Sequence, residues 1–324
     1  MEFLQSDWGW TVILDLFLGG LGGAALAITG LMRLMGKQAF PKTVKFGAWI
    51  GTVCLAIGVL CLLADVGQPL RAMLMPISFS HFTSWMAFGA WFMFCAVVFA
   101  GLFALSSTPQ VGAKLGEGVR AKLDVLQKVF AAGGLVFGLA VVVYTGFLVC
   151  SAPGIPFWNT VLVPLGFAPL SLLAGAATVH FLVSKFEGAE DERPRAVDVA
   201  LLALRIAVIA FAVLSGIALA VFLSNATALG GTAAACSAAV TVGGWAAVFW
   251  ALVMVVGLAI PAVLALMQLV TKKTCWKAAL VLLACVVVGG IVWRMVLIAL
   301  GAHEALPAPV VPQAFLDFSL HALQ

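Results

Sequence analysis

The sequence is poor in charged residues. Of its 324 residues only 9% are Asp, Glu, Lys or Arg, whereas 64% are hydrophobic and the mean hydropathy is +1.18. Soluble globular domains carry about 25% charged residues, so this composition excludes a soluble protein. The formal net charge of +4 is small, and we expect no nucleic-acid partner.

Metal-ligand patterns are also scarce. The seven cysteines include no CxxC pair, so we expect neither zinc nor an iron–sulfur cluster in this protein. Cys150 and Cys236 are open to two interpretations, a disulfide or two ordinary small apolar residues. The first ten residues, MEFLQSDWGW, carry acids where a cleavable signal needs basic residues, so we expect the first apolar segment to be retained.

Long apolar runs, in contrast, recur along the whole sequence, which is typical of an α-helical membrane protein. Each run has about 20 residues or more, enough to cross roughly 30 Å of hydrocarbon. The predicted spans are residues 9–34, 46–64, 84–106, 129–150, 161–184, 199–224, 241–270 and 278–301. We therefore predict an all-α bundle of eight transmembrane helices over residues 1–301, followed by a tail over residues 302–324.

Basic residues predict the orientation of this bundle. The first, third, fifth and seventh connections each hold three or four lysines or arginines, whereas Arg71 is the only one in the even-numbered connections. Cytoplasmic loops carry the excess of Lys and Arg. We therefore expect both termini on the non-cytoplasmic side of a bacterial or archaeal cytoplasmic membrane.

With this orientation, several polar residues fall at one depth near the non-cytoplasmic ends of the spans. They are Asp15, Asp65, Arg71, His81, Tyr144 (the only tyrosine) and Arg294. Ionisable groups inside a bilayer normally face the bundle interior and pair with one another. The sequence therefore predicts a polar pocket below this surface, in which Arg294 or Arg71 keeps a carboxylate ionised.

The stretch ILDLFLGGLGG places Asp15 among glycines. Gly19 and Gly22 or Gly23 follow Asp15 along one helix face, and small residues let a neighbouring helix approach closely. We expect this carboxylate to face a packed seam, within reach of hydrogen-bond donors, and not to face lipid.

Other polar and aromatic positions have simpler interpretations beside the functional ones. Asp65 either pins its loop through Arg71 or belongs to the site, and His81 is either a surface residue or a ligand. His180, the only histidine within a span, fits a hydrogen-bonded interior residue, which argues against a two-histidine haem and leaves a Met-ligated one open. An aromatic belt at the membrane surface is the default for the tryptophans near span ends. These are Trp85, Trp91, Trp158, Trp245 and Trp293.

Several stretches taken together resemble the NrfD family, the membrane subunits of polysulfide reductase type. They are LDLFLGGLGGAAL, DVGQPLR, SWMAFGAW, YTGFLVCSAPGIPFWNTVLVPLGFAPLSLLAG and GGIVWRMVLIALG. They touch five of the eight spans in the expected order, and the long fourth stretch is the most specific.

The resemblance implies a quinone-interacting subunit of a respiratory oxidoreductase, with no haem or iron–sulfur cluster of its own. Its partners would be a four-cluster ferredoxin-like iron–sulfur subunit and a molybdopterin-type catalytic subunit. It would bind menaquinone or ubiquinone near the non-cytoplasmic face and pass electrons between quinone and the nearest cluster.

The resemblance also implies roles for individual residues. Tyr144 matches the tyrosine that hydrogen-bonds a quinone carbonyl, and Asp15, Arg294 and His81 are the other expected quinone-binding residues. Proton transfer or bracing of the pocket is expected of Asp65, Arg71, Ser84 and Trp158. The alternatives to this interpretation are a secondary transporter or proton pathway, which also uses intramembrane charges, and a purely structural anchor.

Overall fold

Eight long apolar helices make up most of the part of the protein that the structure describes, which confirms the predicted all-α membrane architecture. The computed structural model describes residues 8–35, 40–65, 85–114, 122–188 and 194–303. In sequence order the helices are α1 (Trp10–Leu34), α2 (Pro41–Asp65), α3 (Trp85–Ser106), the short α4 (Pro109–Lys114), α5 (Leu123–Cys150), α6 (Leu162–Phe186), α7 (Arg195–Leu229), the short α8 (Gly231–Thr241), α9 (Ala246–Thr271) and α10 (Trp276–Ala299). Residues Phe249–Ala259 of α9 are π-helical.

The first helix lies at the centre of the bundle. It packs against α2, α5, α6 and α10, and 78% of its most apolar stretch is buried, compared with 28% for α2 and α9. The glycines of α1 explain how neighbours approach it so closely, because a Cβ atom at most of these positions would collide with a neighbouring helix. The outer helices keep large apolar side chains exposed where lipid would lie.

Helix α7 is longer than predicted. It covers 35 residues, about 50 Å at 1.5 Å per residue, because the polar start at Arg195 and the end before Gly230 both continue the helix beyond the apolar run. Gly230 and Gly231 have φ values of 74° and 55°, a left-handed conformation that glycine adopts without steric cost. These two residues interrupt the helix between α7 and α8.

The two ends of the bundle differ in chemistry. The end that carries Trp8 and His303 is called the terminal end here, and the opposite end, with most of the basic residues, is called the basic end. At the basic end Arg33 pairs with Asp124, and the Glu187 carboxylate accepts hydrogen bonds from the backbone N–H and the hydroxyl of Thr43. Which end faces the cytoplasm stays a prediction from the loop charges.

Two sequence interpretations change in the structure. All seven cysteines are free, so the Cys150–Cys236 disulfide is not formed, and the Cys236 thiol instead donates to the Leu300 carbonyl at 3.0 Å. Trp158 and Trp293 are each only 2% exposed. These two tryptophans pack inside the protein and do not belong to a lipid-facing belt.

Candidate functional site

Asp15 lies in the seam between α1 and α2, as the glycine pattern predicts. The residue is 1% exposed, and a Cβ atom placed on Gly58 of α2 would lie 3.1 Å from its Oδ1 atom. Gly22 faces the same helix, whereas Gly23 faces α5 and Gly19 faces both α3 and α5, so the glycines serve more than one seam. Among the described residues no hydrogen-bond donor reaches the Oδ1 atom, which is buried without a partner.

Tyr144 of α5 is buried close to this carboxylate. Its ring occupies the space above Gly89 of α3, where even a single added methyl group would overlap the ring. Tyr144 is 3% exposed and interacts electrostatically with Asp15. Its hydroxyl group can both donate and accept a hydrogen bond.

Asp65 lies beside Asp15 and Tyr144, at the terminal end of α2. Its Oδ1 atom accepts a hydrogen bond of 2.8 Å from the Thr11 hydroxyl, which ties the last residue of α2 to the first turn of α1. Asp65 is exposed, and its carboxylate interacts electrostatically with buried Asp15. Asp15, Asp65 and Tyr144 are therefore brought together from three helices.

Arg294 of α10 contacts a different face of α1 from the one that carries Asp15. Its Nε atom donates to the Leu16 carbonyl at 3.1 Å and its Nη2 atom donates to the Ser171 hydroxyl at 3.0 Å. The guanidinium also stacks between Phe17 and Phe167, with its carbon atom 5.4 and 4.9 Å from the ring centres.

The environment of Arg294 differs from the predicted ion pair. The side chain is 1% exposed, and its hydrogen-bond partners, which include the Gly290 carbonyl at 3.1 Å, are all neutral. The described salt bridges are confined to Asp124 with Arg33 and Lys128. Arg294 therefore does not neutralise Asp15, and it joins α1, α6 and α10 instead.

Trp158 braces the terminal end of α10. Its indole N–H donates to the Leu297 carbonyl at 2.9 Å, and its ring stacks on Trp8 with the ring centres 5.1 Å apart. Gly301 leaves room for the indole, because a Cβ atom there would overlap it. The three remaining predicted site residues, Arg71, His81 and Ser84, lie outside the described residues.

Two further residues of this region are not predicted as site residues from the sequence. Gly89 makes room for Tyr144, and Ser171 accepts a hydrogen bond from Arg294. Both lie within the stretches that carry the family resemblance, SWMAFGAW and the SLLAG end of the longest one. Only the helix packing, however, assigns each of them a partner.

The sequence comparisons agree with the architecture. Residues 3–304 match the family described as "Polysulphide reductase, NrfD". The protein belongs to the NrfD family. It is also 29% identical over 273 residues to the polysulfide reductase C chain of Wolinella succinogenes, an alignment that covers 79% of this sequence and 82% of that protein. The protein is thus a multi-pass NrfD-type membrane subunit of a polysulfide reductase-type complex.

No group of three or more potential metal ligands occurs among the described residues of this NrfD protein. The groups gathered at the terminal end are instead a phenol, two carboxyl groups and a hydroxyl. This is a set that hydrogen-bonds and exchanges protons.

Proposed function

We propose that this NrfD protein is the quinone-binding subunit of a membrane oxidoreductase, and that the quinone ring binds beside Tyr144 and Asp15. The observation that carries the proposal is the buried Asp15 Oδ1 atom, which has no hydrogen-bond partner among the described residues and lies close to the buried phenol of Tyr144. Buried polar groups normally have partners. A ligand that brings both hydrogen-bond acceptors and, when reduced, hydroxyl donors fits these two groups.

The chemistry of quinones matches this arrangement. Reduction or oxidation of a quinone moves electrons together with protons. The Tyr144 hydroxyl can donate to a quinone carbonyl oxygen, where negative charge develops on reduction. The Asp15 carboxyl group can accept a proton from the quinol, and Asp65, which is exposed, can exchange that proton with water at the terminal end.

The remaining predicted residues complete the proposal. Arg294 and Trp158 support the walls of the site, through the Leu16 and Leu297 carbonyls respectively. Arg71, His81 and Ser84 follow α2 in the sequence. They remain proposed contributors to quinone binding, proton transfer or bracing.

The complex around the subunit is also part of the proposal. We propose a four-cluster ferredoxin-like iron–sulfur subunit and a molybdopterin-type catalytic subunit as partners, docked at the terminal end on the non-cytoplasmic side of a bacterial or archaeal cytoplasmic membrane. The bound substrate is menaquinone or ubiquinone. Electrons would pass between the NrfD subunit and the catalytic subunit by way of the iron–sulfur subunit. The tail from residue 302 would lie on the non-cytoplasmic side, where these partners dock.

The first test is the composition of the native complex. Gentle affinity purification from the native membrane, followed by mass spectrometry, is expected to recover an iron–sulfur subunit and a molybdopterin-type subunit with this protein. Recovery of the protein alone, under conditions that keep a known membrane complex intact, would favour a secondary transporter.

The second test addresses the site itself. Tyr144→Phe removes only the hydroxyl, so the complex should assemble while quinone-linked turnover falls, by about tenfold or more if one charge-assisted hydrogen bond in the transition state is lost. The matched control is Phe130→Leu near the other end of the same helix, where turnover should stay at the wild-type rate. Wild-type turnover in Tyr144→Phe would refute the assignment of this residue.

A further inference from the structure

Unsatisfied polar atoms are also concentrated at a second place, near the basic end. His180 of α6 is fully buried, and both of its ring nitrogens lack a hydrogen-bond partner among the described residues. The same holds for the Ser184 hydroxyl on α6 and for both side-chain amide atoms of Gln268 on α9. Each of these three residues is at most 5% exposed. None of them takes part in the proposed quinone site.

Arg205 of α7 is hydrogen-bonded to the end of α9 that carries Gln268. Its Nη1 atom donates to the backbone carbonyl of Gln268 at 3.0 Å, and its Nη2 atom donates to the Thr274 hydroxyl at 2.9 Å. Arg205 also interacts electrostatically with His180. Ser184 lies one helical turn from His180 on α6. Because α7 packs against both α6 and α9, we infer that the four side chains lie along α7 in one region near the basic end.

Leaving this region dry would be costly. A buried polar group without a partner costs about 1–3 kcal/mol, and the several such atoms together would cancel a large part of the roughly 5–15 kcal/mol that stabilises a folded domain. Natural proteins relieve this cost with buried water molecules, which make about three hydrogen bonds each to groups that are otherwise unsatisfied.

We propose that His180, Ser184 and Gln268 line a buried site for ordered water at the basic end of the bundle. The chemistry of the lining favours water over other ligands. An imidazole, a hydroxyl and a carboxamide together offer both donors and acceptors, which water can satisfy simultaneously. An apolar ligand would leave all of these atoms unsatisfied, and a metal ion would need a cluster of ligands that the described residues do not contain.

Hydroxyl-radical footprinting by X-rays tests the proposal on the unaltered protein. Radicals formed from buried water oxidise the side chains beside it, even where bulk solvent is excluded. The purified wild-type protein, in its native complex and in lipid nanodiscs, would be irradiated in ¹⁸O-labelled water, and oxidation at each residue would be read by mass spectrometry. Rates are normalised to those of the same peptides after denaturation.

The control residue is Phe103, which is also fully buried but sits in an apolar cluster. The proposal expects His180 to be oxidised several-fold faster than Phe103, with ¹⁸O incorporated. Equal normalised rates at the two residues would overturn it, because burial is the same and only the presence of water differs.

Two substitutions give an independent measurement. If water bridges His180 to its neighbours, His180→Gln should retain more thermal stability than His180→Leu, since the amide can still bind water. If the site is dry, His180→Leu should be the more stable variant, because it removes an unsatisfied polar group. The second order would contradict the proposal, whatever the outcome for the quinone site.

Discussion

Arg294 offers the sharpest test of how the centre of the bundle is held together. Replacing it by methionine keeps much of the length and the apolar stem of the side chain but removes the guanidinium. The substitution deletes the hydrogen bonds to the Leu16 carbonyl and the Ser171 hydroxyl, and both contacts with the phenylalanine rings. The side chain that links α1, α6 and α10 by hydrogen bonds is thereby lost.

The magnitude follows from these contacts. A hydrogen bond to a charged group contributes about 1.5–3 kcal/mol, and a desolvated cation–π contact contributes up to about 2 kcal/mol. Against this stands the cost of burying the cation, which methionine removes. We expect the free energy of unfolding to fall by about 2–4 kcal/mol. By the relation that holds for domains of about 150–250 residues, this loss lowers the melting temperature by roughly 5–15 °C.

A thiol-reactive fluorogenic dye can report the melting. Six of the seven cysteines are buried or half-buried in the folded protein and only Cys275 is exposed, so unfolding releases a large signal. Lys128→Met is the control, because its ion pair with Asp124 is exposed and worth less than about 1 kcal/mol. Arg294→Lys should lie between wild type and Arg294→Met, since lysine keeps the charge but not the planar group that stacks on the rings. An unchanged melting temperature in Arg294→Met would refute this account of the bundle centre.

Two further predictions concern the remaining contacts. Gly89→Ala places a methyl group in the space of the Tyr144 ring, so it should displace the tyrosine and lower quinone-linked turnover. Gly101→Ala on the same helix is the control, because a methyl group there meets open space and should leave turnover unchanged. Equal turnover in the two variants would contradict the packing of Tyr144 against Gly89. Burial raises the pKa of Glu187 above 4.5, against the lowering effect of the hydrogen bonds that it accepts from Thr43. The protonated Glu187 side chain therefore contributes stability below pH 4.5, and this contribution is lost as pH rises through the raised pKa. Melting temperatures measured from pH 4.5 to 8 should therefore fall relative to those of Glu187→Gln, and parallel curves would contradict this assignment.

The helices and their order are predictable from the sequence because a bilayer imposes one strong constraint. Each span must be long, apolar and helical, so that backbone polar groups are satisfied within the segment. The burial of Asp15 is predictable for a related reason, since the glycines that follow it indicate a close helix seam. The extent of α7 is not predictable in this way, because hydropathy locates the part of a helix that crosses the bilayer and not the residues at which the helix begins and ends.

Partners of individual side chains are much less predictable. The sequence predicts Arg294 and Asp15 at the same depth in the membrane, which suggests an ion pair. Depth, however, does not specify on which side of α1 each group lies. The structure places the guanidinium against Leu16 and Ser171 instead. Trp158 likewise sits near a span end, where a lipid-facing belt is the default, yet its indole is directed inward to the Leu297 carbonyl.

Helix α1 separates Asp15 from Arg294, although the sequence predicts both residues in one pocket. Asp15 faces α2 and Tyr144, whereas the carbonyl of the next residue, Leu16, accepts a hydrogen bond from Arg294 on the other face. A guanidinium that fixes this backbone carbonyl also fixes the turn from which the Asp15 side chain projects. We therefore expect Arg294 to act on the proposed quinone site through the α1 backbone and not through its charge. Loss of the guanidinium should consequently shift quinone affinity even though no step of the proposed chemistry uses it.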